Sequence, residues 1–156
     1  LRRAYRRMQS ILAGQWAMRT ADLPLRTPYE ALTLASIVEK ETGRRADRPL
    51  VAAVLLNRLR AGMRLQADPT VIYGLGPAFD GDLRRRDLVS DGPYNSYTRS
   101  GLPPSPIAAP GLAALKAVAN PSASGALYFV ARGDGSSEFS ATLEEHNRAV
   151  ARYQRR

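Results

Sequence analysis

The sequence predicts an α+β fold, mainly helical, folded as one domain around a small β-hairpin with a long ordered loop region. Three observations point there. Helix-start signals recur: Thr27-Pro28 is followed by Glu30 in the capping-box slot, and Thr142 by Glu145. A turn signal, Gly133-Asp134-Gly135, stands between two short runs suited to strands. Finally, 156 residues with 44% hydrophobic content and no internal repeat or low-complexity tract suffice for one compact core.

Taken in order, residues 1–19 read as a helix ending before Ala21-Asp22-Leu23-Pro24. Thr27 caps the next helix and Pro28 takes its first position, where a missing N–H costs nothing. That helix carries Glu41 in its last turn and is expected to close at Gly43. A third helix starts near Pro49, runs through Val51, Val54, Leu55 and Leu59, and stops at Gly62, with Asn57 and Arg58 near its end. Asp68-Pro69-Thr70 reads as a cap and first turn leading into Val71-Ile72-Tyr73. Residues 74–110 are rich in Gly, Pro and Asp without a sustained period, which predicts a long ordered excursion. Loops of that length more often act as lids or binding walls than as connectors. Helix 111–119 ends at Asn120-Pro121, strands 127–131 and 138–140 form the hairpin, and a terminal helix runs from Thr142 through Tyr153.

Composition sets wider bounds. No apolar run approaches the ~20 residues needed to cross a bilayer, so the domain as given is expected to be soluble. The chain opens inside a helical pattern, Leu1-Arg2-Arg3-Ala4-Tyr5-Arg6-Arg7, with no signal peptide, as an excised domain would. Without Cys there are no disulfides or cysteine-ligated metal sites, which fits either redox compartment. The 23 basic and 14 acidic residues give a net charge of +9, which favours anionic partners. Arg2, Arg3, Arg6, Arg7, Arg155 and Arg156 crowd the two ends, and no zinc-finger, RRM or basic-zipper pattern accompanies them. Acidic peptides, an acidic lipid surface, or no specific partner at all fit this charge as well as nucleic acid does.

One residue carries a chemical signal. At about 100° per residue, Leu34, Ile37, Val38 and Glu41 share one helical stripe, while Glu39 points to the other side with Lys40 and Ser36. An acid held against Leu, Ile and Val resists ionising, so its pKa rises towards the range where it can deliver a proton near neutral pH. The competing reading is a carboxylate at the helix edge, extended to water or paired with Arg44, Arg45 or Arg48.

Residues Ala35-Ser36-Ile37-Val38-Glu39-Lys40-Glu41-Thr42 begin a series of motifs in order. They are followed by Val54-Leu55-Leu56-Asn57-Arg58-Leu59, Gly62-Met63-Arg64-Leu65-Gln66-Ala67-Asp68-Pro69-Thr70-Val71-Ile72-Tyr73-Gly74 and Tyr94-Asn95-Ser96-Tyr97-Thr98. Gly101-Leu102-Pro103-Pro104-Ser105-Pro106-Ile107-Ala108, Leu127-Tyr128-Phe129-Val130 and His146-Asn147 complete the series. From Thr27 onward the chain thus resembles the catalytic domain of the endolytic murein transglycosylases, the MltG or YceG-like family, with residues 1–26 as a helical lead-in.

The resemblance implies that Glu41 is the catalytic residue, since the second Glu of the Glu-Lys-Glu segment has that role in the family. It implies cleavage between N-acetylmuramic acid and N-acetylglucosamine within glycan strands, leaving 1,6-anhydro ends, with no metal or organic cofactor. It further implies work beside peptidoglycan synthases at the inner membrane, on its periplasmic or extracytoplasmic face, as a terminator of glycan elongation. The family's N-terminal membrane anchor and LysM-like region are not visible in this sequence, and no nucleic acid is expected as partner.

By the same resemblance, Tyr73, Tyr94 and Tyr97 are candidates to stack on pyranose faces, and Ser36, Asn57, Gln66 and Asn95 to bond sugar hydroxyls or N-acetyl groups. Core packing for the tyrosines, and turn formation for Asn95, stand beside that reading. Asp68 has three roles open: helix cap, substrate contact, or partner of Glu41 in a two-carboxylate muramidase. A non-catalytic basic module binding glycan or nucleic acid is the remaining alternative. His146 is the only histidine and stands in a helical run without a nucleophile-elbow motif, which argues against a serine–histidine triad.

Overall fold

Helices α2 (Pro28–Glu41) and α3 (Arg48–Ala61) form the centre of the protein because neither leaves a wide polar side to water. Residues from Thr33 to Val38 in α2 and from Val51 to Leu56 in α3 are buried without a break, the behaviour of helices covered all round. The computed structural model describes residues 1–154; Arg155 and Arg156, part of the basic C-terminal end, lie outside the described residues.

Both central helices pack on α6 (Leu112–Ala119), whose alanines allow close approach. Helix α1 (Arg2–Ala17) covers α2 and α6 through half-buried Met8, Ile11, Leu12 and Trp16, while Arg2, Arg3, Arg6 and Arg7 stay exposed. Strands β1 (Tyr128–Ala131) and β2 (Ser137–Ser140) pair antiparallel, from Tyr128 opposite Ser140 to Ala131 opposite Ser137. Gly133 and Gly135 join them at φ of 91° and 90°, a left-handed conformation that L side chains resist. Helix α7 (Leu143–Tyr153) lies on this hairpin, and β1 touches α3. The α+β, mainly helical reading holds. No described helix is long and apolar enough to cross a membrane.

The helix ends depart from expectation in informative ways. Thr27 Oγ1 accepts from Glu30 N–H at 3.2 Å, but Glu30 reaches back to Arg26 N–H at 2.7 Å instead of the cap residue itself. Thr142 and Glu145 repeat this arrangement, with Glu145 accepting from Ala141 N–H at 3.2 Å. Gly43 does not close α2: Thr42 turns directly into an extended conformation (φ −145°, ψ 133°), which leaves Glu41 as the last helical residue. Gly62 does close α3, at φ 69°.

The 74–110 excursion holds more regular structure than its composition suggests. Helix α4 (Asp68–Leu75) runs into a 3₁₀ turn, Gly76–Ala78, and α5 (Arg85–Val89) follows. Asp87 accepts from Arg84 N–H at 2.8 Å and so starts α5, a cap formed by a residue pair outside the usual Ser/Thr signature.

Candidate active site

A cleft of about 450 Å³ opens where the ends of α2 and α3 meet the start of α4, the hairpin and α7. Glu41 lies in it at the last position of α2, where helix carbonyls point outward with partial negative charge and oppose an ionised carboxylate. Its carboxyl makes no hydrogen bond or ion pair with any described residue, so the pairing with Arg44, Arg45 or Arg48 does not form. Burial, chiefly, and the negative charge of Asp68 push its pKa up to about 7, against the opposing pull of the Arg58 cation. A carboxyl in that state can give up its proton near neutral pH and take one back.

Asp68 faces the same cleft but does not cap α4. It is the first helical residue; Ala67 occupies the cap position without a side-chain bond. The entry to α4 is secured instead by Ser96, whose Oγ accepts from Ala67 N–H at 2.9 Å and pairs with Thr70 Oγ1 at 2.7 Å. That arrangement releases the Asp68 carboxylate, which accepts the hydrogen bond of the Tyr97 phenol. Burial and the bond to Asp68 push the Tyr97 phenol's pKa up, so it stays a donor.

Gln66 completes this side. Its backbone is left-handed at φ 51°, uncommon for a residue with a side chain, and is held there by Gln66 N–H donating to Ser96 O at 3.1 Å. Its Oε1 receives Arg58 Nη1 at 3.5 Å.

Two ionisable residues of the cleft, Arg58 and His146, are not among the site candidates drawn from the sequence. Arg58 is buried, with Nε donating to Leu127 O at 2.7 Å and Nη1 to Arg64 O at 3.1 Å and Leu65 O at 3.2 Å. His146 stacks on Tyr128 with ring centroids 5.1 Å apart, and its Nδ1 is buried without a partner among the described residues. Burial, then the Arg58 charge, lower the His146 pKa and favour the neutral ring. A signal for both exists in the sequence. Arg58 continues the Val51, Val54, Leu55 stripe, and His146 lies between Leu143 and Val150 at helical spacing, the same pattern that singles out Glu41.

The structure brings Glu41, Gln66, Asp68 and Tyr97 together and commits the other candidates elsewhere. Ser36 is fully buried, not on a polar face: it donates to Thr33 O at 2.6 Å and accepts from Ile107 N–H at 3.0 Å, pinning the loop before α6 to α2. Asn57 spends its amide on Ser124 O (2.8 Å) and Ala126 O (2.9 Å). Asn95 is 5% exposed and shapes the turn: Nδ2 donates to Ser90 O at 2.7 Å and Leu88 O at 3.0 Å, while Oδ1 accepts from Tyr97 N–H at 2.8 Å. Tyr73 and Tyr94 contact each other outside the cleft, centroids 4.9 Å apart, with the Tyr94 hydroxyl on Ser105 Oγ at 2.6 Å. Glu39 is also outside the cleft, near Gly111. Among the described residues no cluster of three or more His, Asp and Glu side chains is placed to hold a metal ion.

Comparison with known proteins adds to this geometry. The chain matches the YceG-like family over residues 1–152. It is 43% identical over 125 residues to the endolytic murein transglycosylase of Bacillus subtilis, an alignment covering 80% of this chain and 34% of that protein. A protein of the same description from Streptococcus pneumoniae is 37% identical over 132 residues, covering 81% of this chain and 24% of the relative. The crystal structure of a yceG-like protein from Listeria monocytogenes superposes with a TM-score of 0.71 at 45% identity, over 78% of this chain and 38% of that one. The chain therefore spans about a third or less of the length of the curated relatives it matches.

Proposed function

This chain belongs to the YceG-like family, and from that premise we propose that it is the catalytic region of an endolytic lytic transglycosylase that cuts peptidoglycan glycan strands between N-acetylmuramic acid and N-acetylglucosamine. The observation that carries the reading is Glu41: a desolvated carboxyl, unpartnered in a cleft, with its pKa pushed up to about 7. Glu41 gives its proton to the glycosidic oxygen as the bond from that oxygen to the muramoyl C1 breaks. The muramoyl C6 hydroxyl oxygen then bonds to C1 and Glu41, now a carboxylate, takes the hydroxyl proton. A 1,6-anhydro ring forms, no water is consumed, and the acid is regenerated. One carboxyl suffices because the substrate supplies the nucleophile, unlike the paired-carboxylate hydrolases.

Asp68 in the same cleft keeps a second reading in view, a muramidase with Asp68 as nucleophile or base. The Tyr97 hydrogen bond occupies one of its oxygens and holds the carboxylate in place, which favours an electrostatic role instead. Mass spectrometry of digested glycan strands separates the two. Internal cuts with anhydromuramic ends, lighter than hydrolytic ends by one water, are expected; dominant reducing muramic ends overturn the transglycosylase reading. The absence of any cleavage would favour a non-catalytic glycan- or nucleic-acid-binding module.

In the cell we place this activity beside peptidoglycan synthases at the periplasmic or extracytoplasmic face of the inner membrane, where cutting nascent strands terminates their elongation. The exposed arginines of α1 suit the anionic stem peptides of such strands.

A further inference from the structure

Arg58 is 8% exposed and takes part in none of the five ion pairs of the described residues. Its guanidinium is nevertheless fixed. Nε and Nη1 are spent on the carbonyls of Leu127, Arg64 and Leu65, and the group stands 5.1 Å from the centroid of the Tyr128 ring. Nη2 makes no hydrogen bond to any described residue, and the side chain lines the Glu41 cleft. Carbonyls satisfy donors but supply no net negative charge, so the buried cation remains uncompensated, an arrangement that costs free energy unless an anion completes it. The carboxyl that acts on Arg58 is that of Glu41, and Glu41 must be protonated to begin the reaction. In the reactive state the cleft therefore holds a rigid cation with one donor nitrogen, Nη2, unspent.

Resting on the glycan-strand reading of this cleft, we propose that Arg58 is a specificity-determining residue whose Nη2 binds a carboxylate carried by the muramic residue seated beside Glu41. Two carboxylates have this chemistry: the lactyl carboxylate of a peptide-free muramic acid and a carboxylate of an attached stem peptide. An arginine suits the position because its planar fork can be anchored by two nitrogens while presenting the third.

The test compares kcat/KM on peptide-free strands, the same strands with lactyl carboxylates converted to carboxamides, peptide-bearing strands, and peptide-bearing strands with amidated carboxyls. Wild type is expected to prefer the carboxylate member of one pair by about 10-fold or more, the size of a charged hydrogen bond. The pair showing the preference identifies the source. In Arg58→Gln the ratio should fall towards unity, and in Arg58→Lys, which keeps the charge without the fork, it should shrink in part. No preference in either pair, or the same ratio in wild type and variants, overturns the proposal; so do equal losses on carboxylate and carboxamide strands, which would assign Arg58 to Glu41 alone. Should Arg58→Gln fail to fold after losing its carbonyl partners, Arg58→Lys decides, an unchanged ratio being fatal. A wild-type chain that cleaves none of the strands refutes the transglycosylase reading instead, and calorimetric Kd ratios on the same four strands then decide the Arg58 proposal.

Discussion

Tyr97 donates its phenolic hydrogen bond to Asp68 Oδ1, joining the long loop to the first residue of α4 across 29 positions of sequence. The bond orients a carboxylate whose negative charge helps Glu41 retain its proton. Asp68 thus acts on the acidity of another carboxyl, and the loop that carries Tyr97 forms part of the wall of the Glu41 cleft.

Asp68→Asn removes that charge, so the Glu41 pKa should drop below about 7, although burial still holds it above the ordinary carboxylate value of 4.5. The alkaline limb of the pH–rate profile should move to lower pH. Tyr97→Phe keeps the ring and loses the donor; it should remain folded with turnover reduced about 10-fold, the loss of a charge-assisted hydrogen bond. A limb that stays in place in Asp68→Asn would show that the two carboxyls do not communicate.

Glu41→Gln keeps the size of the side chain and removes the transferable proton. Turnover of glycan strands should fall by about 10²–10⁴-fold or more while the circular dichroism spectrum is unchanged. Glu39→Gln, outside the cleft, should retain most activity. A larger loss in Glu39→Gln than in Glu41→Gln would reverse the assignment.

The raised pKa also predicts a stability signature. Between 4.5 and about 7 the folded state holds the Glu41 proton more tightly than the unfolded chain does, so this residue's contribution is fully present below 4.5 and is lost as pH rises through about 7. Relative to Glu41→Gln, wild type should lose on the order of 2–3 kcal/mol over that window. Parallel urea-unfolding curves at pH 5 and pH 8 measure it, and an identical pH dependence in the two proteins would contradict a buried, protonated Glu41.

Asn95→Ala should be costly to the fold. It strands the carbonyls of Leu88 and Ser90 and frees the turn that presents Tyr97, so a destabilisation of about 2 kcal/mol and a matching fall in turnover are expected. Asn57→Ala should lower the melting temperature by releasing the 124–126 segment, with turnover of the folded fraction near wild type. Normal melting with lost turnover in Asn57→Ala would place that amide on the substrate after all.

The class of fold, the hairpin and most helix starts are legible in the sequence because their signals close locally. Thr27 meets Glu30, Thr142 meets Glu145, and Gly133 and Gly135 turn the chain within a few residues. Glu41 is legible too, but through a stripe that is only part of the truth. α2 is buried on nearly all sides, so Ser36, assigned by the same stripe to the polar side, is as buried as Leu34. Periodicity separates faces only where a helix has water on one of them.

What the tertiary structure alone decides is how each polar group is spent. Ser36 meets Ile107 71 positions away, and Asn57 meets Ser124 67 positions away, whereas Gln66, Asp68 and Tyr97 converge on the cleft. An amide or hydroxyl offers the same donors to a backbone carbonyl as to a ligand, so residue type cannot distinguish the two uses. By itself the chain determined a helical domain with one acid pressed into apolar surroundings. Long-range packing decided that this acid would be left without a partner, with Asp68 and Arg58 pulling its proton in opposite directions, because charge and burial act through space and not along the sequence.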